Sequence, residues 1–356
     1  MEIVYGIIII TFLACLALTP VAIKLCNKFG WVDIPKDSRR VHSKPMPRSG
    51  GIAIIAAMLI GFLIYFLFTK NIPSISLNEK FLGYLLGGLL IASMGFIDDV
   101  FSLRARQKFV FQLLAGIIVY SFGIRISGIK IPFIYTDIID FGILDFPVTL
   151  IWVIGVTNAL NLIDGLDGLA AGISAISATA LLTIFIATSA SLEAIVIAAV
   201  LVGATLGFLP YNFNPAKTFM GDVSSNFLGY TLSVASILGF AKGYTLLAII
   251  APILALGVPI FDTLFAMIRR FLKGQPMLKP DGAHIHHRLL KKGFNQKQAV
   301  LILYTITSIL CIIAVTIISA DIWKLIILII AMISFIILGL LNIVKKKKEN
   351  IEVENK

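Results

Sequence analysis

The sequence predicts an all-α polytopic membrane protein, and three observations carry that prediction. Hydrophobic residues make up 58% of the 356 and charged residues only 14%, with a mean hydropathy of +0.98, which excludes an ordinary soluble globular domain. The apolar residues gather into eleven runs that approach the roughly 20 residues a helix needs to cross a bilayer core. The basic residues are shared unevenly between the segments that join those runs.

In order, the runs fall near 3–24, 49–69, 81–97, 108–124, 147–163, 169–188, 193–210, 222–241, 245–268, 299–319 and 324–343. The first follows Met1-Glu2 without a basic leader region and is too long for a signal-peptide core, so it reads as a retained anchor. Phe12-Leu13-Ala14-Cys15 only faintly matches a lipoprotein cleavage site. Cys15, Cys26 and Cys311 have no metal-type spacing and read as small packing residues. Between the fourth and fifth runs, the alternation of apolar and polar residues from Arg125 to Phe146 predicts a short hairpin at the outer interface. Pro252 and Pro259 predict a break in the ninth run. Residues 1–344 therefore form one integral-membrane domain, and 345–356 a basic, polar cytoplasmic tail.

Placing the amino terminus outside and the carboxyl terminus in the cytoplasm puts 24 of the 30 Lys and Arg residues on inner segments. Only Lys70, Lys80, Arg125, Lys130, Lys242 and Lys324 then lie outside, a strong positive-inside pattern. The net charge of +11 follows this topology rather than a nucleic-acid surface, and the four lysines 345–348 favour anionic lipid headgroups.

In this orientation three acidic clusters share the cytoplasmic face: Asp98-Asp99, Asp164 with Asp167, and Asp222. Adjacent helical residues point about 100° apart, so Asp98 and Asp99 divide two tasks. Asn158, Asn161, Asp164 and Asp167 recur every three residues and form a turning polar stripe. Each acid alone has a bland reading as a helix cap or a solvated loop residue, but acids bordering membrane spans are costly and tend to be functional. Oxygen-rich clusters suit a hard cation such as Mg2+, with Mn2+ as a substitute. Arg39, Arg40, His42, Lys44, Arg48 and Lys108 supply positive charge for a phosphate, and His284, His286, His287 and Arg288 supply a second such group. The alternative for the histidines is zinc, but His-x-His-His without a further ligand is a weak zinc motif.

The motifs resemble those of the polyprenyl-phosphate N-acetylhexosamine-1-phosphate transferases, the WecA/TagO/MraY type of membrane enzyme. The resemblance runs in family order from Arg39-Arg40-Val41-His42 and Pro45-x-Pro47-Arg48-x-Gly50-Gly51 through Asp98-Asp99, Lys108, and Asn158 to Gly168. It continues through Phe219-Met220-Gly221-Asp222 to His284-Ile285-His286-His287-Arg288-Leu289, and so covers residues 33 to 290. The histidine segment is similar to the WecA/TagO branch; Ser224-Ser225 departs from the Gly-Ser common in the family. The resemblance implies Mg2+-dependent transfer of an N-acetylhexosamine 1-phosphate, GlcNAc-1-phosphate in that branch, from a UDP-sugar to undecaprenyl phosphate, with release of UMP. The lipid-linked product starts a cell-wall or surface glycan such as teichoic acid.

It also implies roles for the residues. Asp98, Asp99 and Asp222 are catalytic: Asp222 ligates the metal, with Asp99 and Asp164 beside it, and Asp98 contacts or deprotonates the acceptor phosphate. Arg39, Arg40, His42, Arg48 and Lys108 meet lipid phosphate, Asn158, Asn161, Asp164 and Asp167 meet nucleotide or orient the metal, and the histidine segment with Arg288 meets the donor diphosphate. A homodimer stays open. Two rival classes are a transporter, which places its acids near mid-membrane in repeated halves, and a binding-only relative, which would have lost part of the acid set. UDP-N-acetylgalactosamine and UDP-muramoyl-pentapeptide are the alternative donors.

Overall fold

The computed structural model describes residues 2–33, 45–69, 78–129, 139–240, 246–274 and 284–318. Each apolar run within them is helical. The helices are α1 (Glu2–Phe29), α2 (Ile52–Thr69), α3 (Glu79–Phe101), α4 (Ala105–Ser121), α5 (Asp145–Ile163), α6 (Leu169–Ala187), α7 (Leu192–Asn212), α8 (Gly221–Phe240), α9 (Leu246–Ala255), α10 (Gly257–Leu272), the short α11 (Ile285–Lys291) and α12 (Gln296–Ile318). Seven of the segments (α1, α2, α3, α5 with the turn before it, α6, α7 and α12) are long and apolar enough to cross a membrane. The chain is thus an all-α, multi-pass membrane protein. The eleventh run, 324–343, the tail, and Arg39, Arg40, His42 and Lys44 lie outside the described residues.

Two expectations gain detail. The segment 245–268 is two helices, α9 and α10, separated at Leu256, and neither is long enough to span alone. Pro252 and Pro259 lack the N–H groups a continuous ladder would use, as the sequence predicted. The expected hairpin appears, among the described residues, as a two-residue antiparallel pairing of β3 (Gly128–Ile129) with β4 (Ile139–Asp140). Residues Gly142–Leu144 form a 3-10 turn, and α5 starts at Asp145, so the alternation at 143–146 is helical in origin.

Local signals set the helix ends. Asn78 accepts from Phe81 N–H at 2.9 Å and caps α3, Ser191 caps α7, and Ser102 ends α3 in the left-handed region with φ 55°. α3 extends past its apolar run, so Asp98 and Asp99 sit in its last turn rather than beyond it.

α8 is the centre of the bundle. It packs against α3, α5, α6 and α7, and every residue from 223 to 239 is buried. Its Ser224, Ser225, Asn226, Thr231, Ser233 and Ser236 face neighbouring helices, which explains its modest apolarity. Around it, α1 packs on α2 and α7, α4 on α3 and α5, and α12 on α6 and α9. α1 and α2 turn Ile9, Leu13, Leu59, Leu63 and Phe68 outward, a lipid-facing pattern. This arrangement carries the ends of α3 and α5, the start of α8 and the start of α4 to one end of the bundle.

Candidate active site

A second two-stranded pairing builds the floor of the site. β1 (Val32–Asp33) pairs antiparallel with β2 (Met46–Pro47), and the chain after β2 docks on the loop before α8. Phe219 N–H donates to the Pro47 carbonyl at 2.8 Å, and the Thr218 hydroxyl donates to it at 3.0 Å. This brings Arg48 and Ser49 beside Asp99.

Asp99 is fully engaged by protein groups. Its Oδ1 accepts from Asp222 N–H at 2.9 Å and lies 3.2 Å from Arg48 Nε; its Oδ2 accepts from Val223 N–H at 3.3 Å and from the Ser49 hydroxyl at 3.1 Å. A carboxylate at these N–H groups satisfies unpaired donors of α8 and complements its dipole. Gly221 has φ +74°, and a Cβ there would stand 2.4 Å from Asp99 Oδ2 and 2.5 Å from the Arg48 carbonyl oxygen. Only glycine fits the corner that brings Asp222 to the helix start.

Asp98 points elsewhere. Its Oδ1 accepts from Leu103 N–H at 2.6 Å, and its Oδ2 lies 2.5 Å from Lys108 Nζ. The same Nζ is 2.5 Å from Asp222 Oδ2, so one ammonium bridges two carboxylates from α3 and α8. Behind them lies a polar network that the sequence reading missed. Gln112, one turn after Lys108, exchanges bonds of 3.2 and 2.7 Å with the Asn158 side chain and donates to Asn226 Oδ1 at 3.3 Å. Asn226 in turn donates to the Asp222 carbonyl at 2.8 Å. Gln112 thus fastens α4, α5 and α8 together through Asn158 and Asn226, while Asn161, near Asn158 on α5, is half-buried.

Asp167 accepts from Asn214 at 3.0 Å and from Ala216 N–H at 3.2 Å, tying the turn before α6 to the loop before α8. Asp164 differs: among the described residues its side chain has no hydrogen-bond or ion-pair partner. Burial, then the negative charges of Asp222, Asp99 and Asp167, push its carboxyl up to about 8. Such a group lacks a cation.

The histidine segment packs over this turn. His286 is buried, and a Cβ on Gly165 would stand 2.4 Å from its Nε2. Burial and the positive charge of His287 and His284 hold the His286 imidazole down at about 4, partly offset by Asp262, so it is neutral near pH 7. Its Nδ1 has no hydrogen-bond partner among the described residues. His284 is buried against Asp262, whereas His287 and Arg288 are exposed. In this segment His287 and Arg288 are thus exposed, while His284 and His286 are buried.

The donor set fits a hard cation held jointly with substrate oxygens. No three His, Cys, Asp or Glu side chains among the described residues form a ready protein-only cage, and Mg2+ commonly takes one or two carboxylates plus phosphates. Lys108 Nζ lies between Asp98 and Asp222, while Asp164 has no cationic partner among the described residues.

The bundle also holds an apolar cavity of about 710 Å3, walled by α5, α8, α9 and α10 and by the segment that carries the β3–β4 hairpin. It follows α5 from Val148 to Ala159, eleven residues or about 16 Å of helix. Its inner end is two residues from Asn161.

Two predictions follow from this geometry. The folded Asp164 carboxyl keeps a proton up to about 8 that the unfolded chain releases near 3.8. Stability without divalent cations should therefore fall as pH rises through that window. Thermal unfolding in detergent and EDTA should show this slope, and Asp164→Asn should flatten it. Gly221→Ala should destabilise the protein by about 1–3 kcal/mol, read from the same unfolding curves, because it combines a strained φ with a collision at Asp99.

The comparisons with known proteins agree with this arrangement. Residues 81–240 match the model of glycosyl transferase family 4. A probable undecaprenyl-phosphate N-acetylglucosaminyl 1-phosphate transferase of Bacillus subtilis is 40% identical over 94% of this chain and 92% of its own length. A decaprenyl-phosphate N-acetylglucosaminephosphotransferase of Mycolicibacterium smegmatis is 32% identical over 79% of this chain and 73% of the relative. A phospho-N-acetylmuramoyl-pentapeptide-transferase of Halalkalibacterium halodurans is 31% identical over 86% and 95%. The chain belongs to glycosyl transferase family 4, among the polyprenyl-phosphate N-acetylhexosamine-1-phosphate transferases, and is a phosphoglycosyl transferase.

Proposed function

We propose that the protein transfers GlcNAc 1-phosphate from UDP-GlcNAc to undecaprenyl phosphate at the cytoplasmic face, releasing UMP and forming the lipid-diphosphate-sugar that starts a cell-wall or surface glycan. The observation that carries this reading is the ion cluster of Asp98, Lys108 and Asp222, in a bundle that also holds an apolar cavity along α5 and α10. A prenyl chain needs an apolar channel, and its phosphate needs a charged end to that channel. The orientation rests on the distribution of basic residues, which places this end inside.

In the reaction an oxygen of the lipid phosphate attacks the phosphorus that carries the sugar. The bond from that phosphorus to the bridging oxygen breaks, and UMP leaves with the electron pair. Because both partners are anionic, positioning and charge neutralisation dominate catalysis. Lys108 contacts the acceptor phosphate, and Asp98 takes any proton it carries. Asp99 serves by fixing Asp222 at the start of α8; all four of its close contacts are protein donors, so it acts as an anchor rather than as a metal ligand. Mg2+ held by Asp222 and Asp164 together with the donor phosphates would neutralise charge and polarise the breaking bond. Asn161 and the turn carrying Asp167 face the nucleotide, and His287 with Arg288 grips the donor diphosphate.

The test is UMP release by detergent-purified protein given undecaprenyl phosphate, Mg2+ and, in separate reactions, UDP-GlcNAc, UDP-GalNAc or UDP-muramoyl-pentapeptide. Release with UDP-GlcNAc is expected, with EDTA abolishing it and Asp222→Asn lowering kcat by about 10²-fold or more. Release with another donor alone would keep the chemistry and change the sugar. No release from folded protein would overturn the reading in favour of transport or binding. The cavity has its own test. Gly155 lines it, and an added Cβ meets nothing within 4 Å, so a side chain at 155 has room to start and Gly155→Phe takes up space in the cavity. This variant should raise the KM for undecaprenyl phosphate by about tenfold, a cost of about 1.4 kcal/mol, and leave the KM for the UDP-sugar unchanged.

A further inference from the structure

One buried carboxylate–imidazole pair takes no part in the chemistry just described. Asp262 lies on α10, and its Oδ2 is 2.9 Å from His284 Nδ1 while its Oδ1 accepts from Ile285 N–H at 2.9 Å. Both side chains are only 6% exposed. A carboxylate in this place fixes Nδ1 as a protonated ring nitrogen. His284, the residue that opens α11, makes no capping bond with its own side chain, so Asp262 supplies an acceptor to that first turn from another helix. The contacts then continue inward. The His284 and His286 rings lie nearly parallel, 4° apart with centroids at 6.0 Å; the His286 and His287 centroids are 4.2 Å apart, and His286 rests on Gly165. One carboxylate therefore sets the direction of α11 relative to the Asp164 turn. The neighbouring residues Ile260, Phe261, Thr263 and Leu264 of the same helix wall the apolar cavity.

We propose that Asp262 is a positioning residue for donor recognition: through His284 it holds α11 so that His287 and Arg288 face the donor diphosphate. This rests on the reading that the histidine segment meets the UDP-sugar. Pure stability accounts for the pair less well, since burying a carboxylate and an imidazole together costs more than a simple cap requires. Were it a cap alone, its loss would lower stability without separating donor from acceptor.

The experiment uses the full chain in detergent. Asp262→Asn keeps the size of the side chain but replaces one of its two acceptors with an NH2 group. It should raise the KM for UDP-GlcNAc about tenfold while the KM for undecaprenyl phosphate stays within about twofold. Asp262→Glu should restore part of the loss. In a His284→Ala background, Asp262→Asn should have little further effect, because both changes break one connection. Equal rises in both KM values, a fall in kcat alone, or additive effects in the double variant would each overturn the role. Should Asp262→Asn fail to fold, His284→Ala decides the matter by the same split between donor and acceptor. A wild-type protein that releases no UMP at all would overturn the reaction itself, an outcome separate from any of these.

Discussion

The site depends on one interaction, the acceptance of the first N–H groups of α8 by Asp99. Helix starts leave several N–H groups without partners, and they carry partial positive charge. Here a carboxylate from the end of α3 meets them, with Arg48 and Ser49 completing its shell. The contact locks the last turn of one helix to the first turn of another, so that Asp98 and Asp222 come within reach of a single lysine. It also explains the glycine before Asp222, whose missing side chain leaves room for the Asp99 carboxylate itself.

The adjacent acids of α3 therefore divide their work by geometry. Asp99 turns toward α8 and is consumed by structure. Asp98, about 100° around the helix, turns toward Lys108 and stays at the ion cluster. The charge balance is local as well. Arg48 compensates Asp99 and Lys108 compensates Asp98 and Asp222, while Asp164 keeps its proton for lack of a partner. A substrate that brings phosphates and a cation changes the balance only where it is unfinished, and that is the side facing the Asp164 turn.

Much of this was legible in the sequence because it has a period or a motif. The long apolar runs gave the helices, the prolines gave the break between α9 and α10, and the acids that converge were the ones bordering those runs. What stayed hidden was polar and inside. Ser224, Ser225 and Asn226 look like a weak span, yet they sit in the fully buried α8. Gln112 reads as one amide in an apolar helix, and only packing shows that it fastens Asn158 and Asn226. The histidines separate for a related reason: successive residues of α11 point to different sides, so His286 goes inward against Gly165 while His287 stays exposed. A run of like residues does not imply a like role for each.

The break at Leu256 addresses a problem any such enzyme meets, that of joining a greasy acceptor to a soluble donor. A straight helix through 245–268 keeps one set of neighbours along its length. The broken segment changes neighbours: α9 packs on α12, and α10 packs on α5. The space between those two contacts is lined by apolar residues from both halves, among them Pro252 and Ile253 of α9 and Ile260 and Leu264 of α10. Because α10 also carries Asp262, the wall of the cavity and the support of the histidine segment are one rigid element. Two prolines in an apolar run thus accompany a cavity between neighbouring helices and leave Asp262 of the same helix at the histidine segment, without any separate domain to join them.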